Sequence, residues 1–209
     1  DGIVKQNRLS KSVLERLPIY LHYLYSLQMN ENDTISSASI ARALQLGEVQ
    51  VRKDLSLVCG TGKPKIGYVK KDLMNHLEEA LSCHNETKAV VIGVGNLGKT
   101  LLSYSHFNEY GLVLVAGFDN DPSKIGELSN GKKVYSIGEL KKYCQEENIK
   151  IGVITVPEKE AQKVCDLLVE AGIIAIWNFT PGRLTLPSYI RVRNENMAAS
   201  LAVLSASIK

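Results

Sequence analysis

No stretch of this sequence stays apolar for the roughly 18 residues that a membrane-crossing helix needs. A transmembrane helix, and with it a membrane partner, is therefore not expected. The opening residues carry charge at Asp1, Lys5 and Arg8 and no long apolar run, which argues against a secretory leader. Cysteine is scarce: Cys59, Cys83, Cys144 and Cys165 form no C-x-x-C pair and match no zinc-ligand spacing. That excludes zinc ribbons and thioredoxin-type motifs, predicts no metal, and leaves reduced thiols in a cytoplasmic protein as the expectation. Histidine is just as sparse, with only His22, His76, His84 and His106. The formal charge of +3 is too small to name a partner by itself. What remains is a globular composition, 44% hydrophobic and 22% charged over 209 residues, large enough for two small domains with real cores.

The first part of the chain has helical rhythm. Residues 10–28 predict a helix with Leu14, Leu17, Leu21 and Leu24 on one face, and Pro18 predicts a break or kink near Leu17. Ser36 or Ser37 can cap a second helix through Ala43. After a turn at Gly47, "EVQVRKDLSLV" predicts a third, with Val49, Val51, Leu55 and Val58 as its apolar positions. "GTGKPKIGYV" suits a loop and a short hairpin strand, and "KDLMNHLEEAL" a fourth helix. Residues 83–87 form a short polar linker. Beyond it, "KAVVIGV", "LVLVAGFD", "IKIGVITV" and "GIIAIWNF" are continuous apolar strands separated by helical stretches at 97–107, 137–147 and 158–171. That alternation implies an α/β fold with a parallel sheet covered on both faces. The tail "NENMAASLAVLSASI" is a helix apolar on nearly every side, so it must find a groove on its own domain or on a partner subunit.

The string "VVIGVGNLGKT" carries two motifs at once. Gly93, Gly95 and Gly98 satisfy the dinucleotide pattern G-x-G-x-x-G, while Gly93, Gly98, Lys99 and Thr100 satisfy the phosphate-loop pattern. Both set phosphates on backbone N–H groups at a helix N-terminus. The dinucleotide reading also needs a middle glycine and an acid at the end of the second strand to bind a ribose hydroxyl. Gly95 is that glycine, and Asp119 lies 21 residues past Gly98 (119 − 98), near the usual offset of about 20. Under the phosphate-loop reading Gly95 has no purpose, although Asp119 could still be recruited as a magnesium ligand. The dinucleotide reading is preferred. The acid further favours NAD(H) over NADP(H), because a 2′-phosphate would be repelled. The plainer role of Asp119 is a turn-former in "DNDPS", where Asn120 and Pro122 already suffice.

A dehydrogenase needs a proton donor or acceptor near the nicotinamide. His22 and His76 fall in the N-terminal helices, His84 in the linker, and His106 after the glycine-loop helix, remote from the hydride. No Ser-x-x-x-Lys pair with tyrosine stands out, and the dinucleotide fold leaves no room for a substrate domain. The pocket reads as one that binds and does not turn over. The rival readings are a small NAD-dependent oxidoreductase and a phosphate-loop nucleotide-binding protein built on Gly93–Thr100. A third is a CoA- or ADP-binding module of the same fold.

A basic cluster follows Gly47, with Arg52, Lys53, Lys63, Lys65, Lys70 and Lys71 against Asp54 and Asp72. The common fate of such a run is a solvated face. Here helix, turn, helix and Gly-rich hairpin match a winged helix-turn-helix, whose third helix enters the major groove. Gln50, Arg52, Lys53 and Ser56 fall on the polar side of that helix, suited to base edges and phosphate. Lys63 and Lys65 belong to the wing. Asp54 should face inward, away from DNA.

Together "RLPIYLHYL", "VQVRKDLS", "KIGY", "VIGVGNLG", "GFDNDPSKIG", "ITVPEKEAQKVCDLLVEAGI" and "IWNFTP" resemble the Rex family of redox-sensing transcriptional repressors, in order and spacing over nearly the whole chain. The resemblance implies a homodimer on palindromic double-stranded operator DNA, released by NADH while NAD⁺ competes. It implies three parts: a winged-helix domain at 1–84, a Rossmann domain at 85–192 and a dimerisation helix at 193–209 exchanged between subunits. The loop Gly93, Val94, Gly95, Asn96, Leu97 and Gly98 would then cradle the pyrophosphate. Asp119, with Asn120 beside it, would hold the adenosine ribose. Thr155, Val156 and Pro157 would line the nicotinamide side, with Asn178 and Phe179 nearby, and Tyr104 would sit near the cofactor cleft of the dimer. Two departures stand out. The family's Asp-Phe pair at the last helix is Asn196-Met197 here, so Met197 takes the place of a phenylalanine that reaches the nicotinamide bound by the other subunit. The usual "YFG" after RKDLS reads Leu57, Val58, Cys59, and the wing carries Pro64.

Overall fold

The computed structural model describes residues 9–208; Asp1, Lys5 and Arg8 lie outside them. The chain divides between Asn85 and Glu86 into two compact units.

The first unit holds helices α1 (Lys11–Ser26), α2 (Ser37–Ala43), α3 (Glu48–Cys59) and α4 (Lys70–Leu81), with strands β1 (Thr34–Ile35) and β2 (Tyr68–Val69) paired antiparallel. Ser10 and Ser36 cap α1 and α2 by accepting from Val13 and Ser39 N–H. Two expectations change. Helix α1 runs unbroken through Pro18. The carbonyl that Pro18 leaves without its N–H partner is that of Leu14, on the exposed side, where water can satisfy it. The buried face of α1 is Val13, Leu17, Tyr20, Leu21 and Leu24, so Leu14 turns to solvent and Val13 and Tyr20 take its place. Helix α3 similarly buries Val51 and Leu55 but leaves Val49 exposed. The wing is the Lys63–Gly67 bridge followed by β2.

The second unit is a seven-stranded sheet built from β3 (Thr87–Ile92), β4 (Leu112–Asp119), β5 (Gly126–Glu127), β6 (Lys133–Ser136), β7 (Ile151–Ile154), β8 (Ala175–Asn178) and β9 (Arg191–Asn194). Its order is β5-β6-β4-β3-β7-β8-β9, all neighbours parallel except the β5–β6 edge pair. Leaving out β5, this is the doubly wound order 3-2-1-4-5-6, which reverses direction between β3 and β7. Alternate residues of β3 serve opposite faces. Val90 and Ile92 join Phe118, Ile154, Val164 and Leu168 under α6 (Leu140–Glu146) and α7 (Glu158–Glu170). Ala89 and Val91 join Leu114, Val153 and Leu102 under α5 (Asn96–Ser103). Each such aliphatic side chain fully removed from water contributes about 1.5–3 kcal/mol. The last helix, α8 (Met197–Ala206), buries no residue in the described chain.

Candidate functional site

Three strand ends converge at the reversal point. Pairing runs past them: Gly93 N–H donates to Phe118 C=O at 2.8 Å, and Thr155 N–H to Ile92 C=O at 2.9 Å. The glycine loop after β3 is thus stitched to both neighbours. Gly93 has φ +94°, and a Cβ there would lie 2.7 Å from Val156 Cγ1. A Cβ on Gly98 would run into Gly93 O. Gly95 differs: a Cβ would meet nothing within 4 Å, because its open side faces a cleft. Helix α5 begins directly after Gly95 with no side-chain cap, which leaves its first N–H groups available to an anion. Thr155 Oγ1 donates to Gly93 O at 2.7 Å and fixes the loop from the far side.

The cleft holds about 580 Å³. It brings together Gly93, Gly95, Asp119, Asn120, Thr155, Val156 and Pro157 from the sequence reading. Sequence reasoning missed Lys124, Ile137 and the α7 face of Lys159, Glu160, Lys163, Val164 and Leu167, which complete its walls. Asp119 is 5% exposed. Its Oδ2 accepts from Val94 N–H at 2.7 Å and from Lys124 Nζ at 3.1 Å, and its Oδ1 from Asp121 N–H at 3.0 Å. Burial opposes ionisation, but these donors outweigh it and hold the carboxyl below the usual carboxylate range.

The other expected positions lie off this cleft. Val94 is buried in the loop, Asn96 and Leu97 begin α5, and Gly98 is buried within the first turn of that helix. Asn178 is fully buried and spends its amide inside the protein, donating to Asn194 Oδ1 at 2.9 Å and accepting from Thr180 N–H and Oγ1. Tyr104 and Phe179 are linked by a chain of rings. Tyr104 meets Phe107 at 5.0 Å, Phe107 meets Trp177 at 5.7 Å, and Trp177 meets Phe179 at 4.5 Å. Tyr104, half exposed, also stacks on His106. Met197 is exposed at the start of α8, and Asn196 caps that helix by accepting from Ala199 N–H at 2.9 Å.

None of the four histidines lines the cleft. His76 Nδ1 contacts Asp72 C=O, and His84 pairs with Glu78. Thr100 Oγ1 donates to Asn96 C=O at 2.8 Å, within the first turns of α5. All four cysteines are free, and burial pushes Cys59 up to about 12 and Cys144 and Cys165 up to about 11, so these three stay as inert thiols at neutral pH. Among the described residues no cluster of metal-ligating side chains occurs, and no helix is long and apolar enough to cross a membrane.

In the first unit, Gln50, Arg52 and Lys53 stand exposed on α3 and Ser56 half-exposed, its hydroxyl donating to Lys53 C=O; Lys63 and Lys65 are exposed on the wing. Asp54 does face inward. It receives Arg16 as a two-pronged partner at 2.6 and 2.8 Å and Tyr20 Oη at 2.7 Å. With its amide oxygen turned toward the guanidinium, Gln50 accepts from Arg16 Nη1 at 3.0 Å. The basic cluster is smaller than its sequence suggests. Lys70 is buried, its ammonium donating to Leu27 and Met29 C=O beyond the end of α1, and Lys71 pairs with Glu31 at 2.7 Å.

The profile described as "CoA binding domain" matches residues 84–182, and "Putative DNA-binding protein N-terminus" matches 8–56. The chain is 39% identical to the redox-sensing transcriptional repressor Rex of Treponema denticola, over 97% of this chain and 96% of that one. It is 37% identical to the Rex protein of Carboxydothermus hydrogenoformans, over 99% of both. Among solved structures it is similar to RSP in complex with β-NAD⁺ and operator DNA (TM-score 0.88, 32% identity, 96% of this chain and 92% of that one). RSP in complex with β-NADH is similar too (TM-score 0.85, 31% identity, 96% and 94%). Relatives 37–39% identical over nearly the whole of both chains place this protein: it belongs to the Rex family of redox-sensing transcriptional repressors.

Proposed function

We propose that this protein is a homodimeric repressor, not an enzyme, that binds palindromic operator DNA in the cytoplasm and releases it when NADH occupies the cleft, NAD⁺ competing for the same place. The observation that carries the reading is the uncapped start of α5 behind Gly95, whose missing side chain leaves the approach open. That arrangement fits a pyrophosphate on backbone N–H groups. Asp119 and Asn120 hold the adenosine ribose, and Thr155, Val156 and Pro157 line the way toward the nicotinamide. Tyr104, Phe179 and Met197 come into play at that end in the dimer, where α8 finds the groove it lacks in one chain. The absence of histidine from the cleft counts against the oxidoreductase reading, and the open side of Gly95 toward the cleft, for which a phosphate loop has no use, counts against the phosphate-loop reading.

Gln50, Arg52, Lys53 and Ser56 address the major groove, and Lys63 and Lys65 the phosphates beside the wing. A dimer reading two half-sites about one helical turn apart, roughly 34–36 Å, loses that spacing when its subunits close on the reduced cofactor. Moving such an equilibrium from 1:99 to 99:1 takes about 5.5 kcal/mol of differential affinity, shared between two sites. The neutral reduced ring and the cationic oxidised ring differ enough in burial cost to supply it. Gel-shift titration of a selected palindromic duplex with NADH and with NAD⁺ tests the reading. NADH should displace the DNA and NAD⁺ should protect against that; equal effects of both would remove the redox claim.

A further inference from the structure

The acid that ends β4 does not stand alone in the cleft wall. Lys124 Nζ lies 3.1 Å from Asp119 Oδ2, the lysine side chain is about one-third exposed, and both residues line the cleft. Asp121 Oδ2 lies 4.0 Å from the same ammonium, so Lys124 is held over the acid by two carboxylates. Asp119 Oδ1 accepts only from Asp121 N–H among the described residues, which leaves it a free lone pair. At one spot, therefore, the wall offers an acceptor-only carboxylate and a donor-only ammonium in contact.

A ribose hydroxyl is both donor and acceptor, so this pair complements it as neither residue does alone. We propose that Lys124 is a specificity-determining residue of the adenosine end, reading a free ribose hydroxyl together with Asp119: the hydroxyl donates to Asp119 Oδ1 and accepts from Lys124 Nζ. The inference rests on the dinucleotide reading of the cleft and deepens it. It also alters the charge argument made from the sequence, because the carboxylate meets the ribose already neutralised by a neighbouring cation. Recognition at this end becomes a matter of hydrogen-bond pairing. It is blind to oxidation state, since the ribose is common to both forms of the cofactor.

The test is calorimetry on the full-length protein with ADP-ribose and with its counterpart carrying 2′-deoxyadenosine. Wild type should prefer the hydroxyl-bearing ligand by about tenfold, the worth of one hydrogen bond to a charged group. Lys124→Met should close most of that gap, Lys124→Arg should restore it, and NADH and NAD⁺ should weaken by the same factor in Lys124→Met. A gap of unchanged size in Lys124→Met, or equal weakening of both ribose ligands, would reduce Lys124 to a support for Asp119 and overturn the proposal. A wild type that binds neither ADP-ribose nor NADH would instead sink the dinucleotide reading beneath it.

Discussion

Val94 N–H and the Asp119 carboxylate meet at 2.7 Å, and this bond joins the turn of the glycine loop to the end of the neighbouring strand. The acid therefore shapes the loop before any ligand arrives. Its depressed pKa sets a sign. The stabilisation is fully present above the ordinary carboxylate range, about pH 4, and is lost as pH falls below that toward the folded-state value. Asp119→Asn should lower stability by about 1–3 kcal/mol at pH 7. In thermal melts from pH 7 to pH 3, the gap between wild type and variant should narrow at the acid end.

The glycines of the loop should respond differently to alanine. Gly98→Ala places a Cβ against Gly93 O and should destabilise the fold by about 1–3 kcal/mol, seen as a lower denaturation midpoint. Gly95→Ala adds a methyl into open space, so its midpoint should not move, while its affinity for NADH in calorimetry should fall at least about tenfold as the pyrophosphate is kept off the backbone.

The inward carboxylate of α3 is a second point of leverage. Asp54 is 3% exposed, and burial raises its pKa less than the bonds from Arg16 and Tyr20 lower it. Asp54→Asn leaves the Arg16 guanidinium without its counter-charge and should cost about 3 kcal/mol. Tyr20→Phe leaves the two-pronged pair intact and should cost about 1.5 kcal/mol. Urea titrations followed by circular dichroism should rank them in that order.

On DNA, base readers and phosphate holders separate by salt. Lys63→Ala and Lys65→Ala each remove one phosphate contact per half-site, two per dimer, and should each reduce the slope of log K against log salt by about 1.8, with little change in sequence preference. Arg52→Ala should cost about 1–3 kcal/mol per half-site and relax preference at one base pair of each half-site. Fluorescence anisotropy at several salt concentrations checks both.

Asn196 caps α8, its side chain accepting from Ala199 N–H at 2.9 Å. Asn196→Ala should lose about 1 kcal/mol from that cap, and Asn196→Asp should keep it. Sedimentation velocity should show the alanine variant dissociating at higher concentration than wild type and the aspartate variant matching wild type.

The strands that form the sheet's centre were legible because parallel strands buried on both faces read as unbroken apolar runs. "LVLVAGFD" matches β4 residue for residue. The edges were not: β9 is Arg191–Asn194, exposed throughout, and nothing in a charged tetrapeptide marks a strand. Pro18 misled because a helix interior usually rejects proline, yet one exposed carbonyl makes it tolerable. The glycine loop and Asp119 could be found by spacing. Lys159 and Lys163 could not, since lysines on a helix read as a solvated face until the fold turns that face to a cleft. Lys124 follows the "DNDPS" turn in sequence, but only its 3.1 Å approach to Asp119 gives it a role.

A solitary copy of this chain displays Leu201, Val203, Leu204 and Ile208 to water, each more than 60% exposed. Quality-control proteases and holdases seize such greasy surfaces. Newly made chains that fail to meet a mate should thus be cleared first, and the lifetime of the repressor in the cell should lengthen as its own abundance rises.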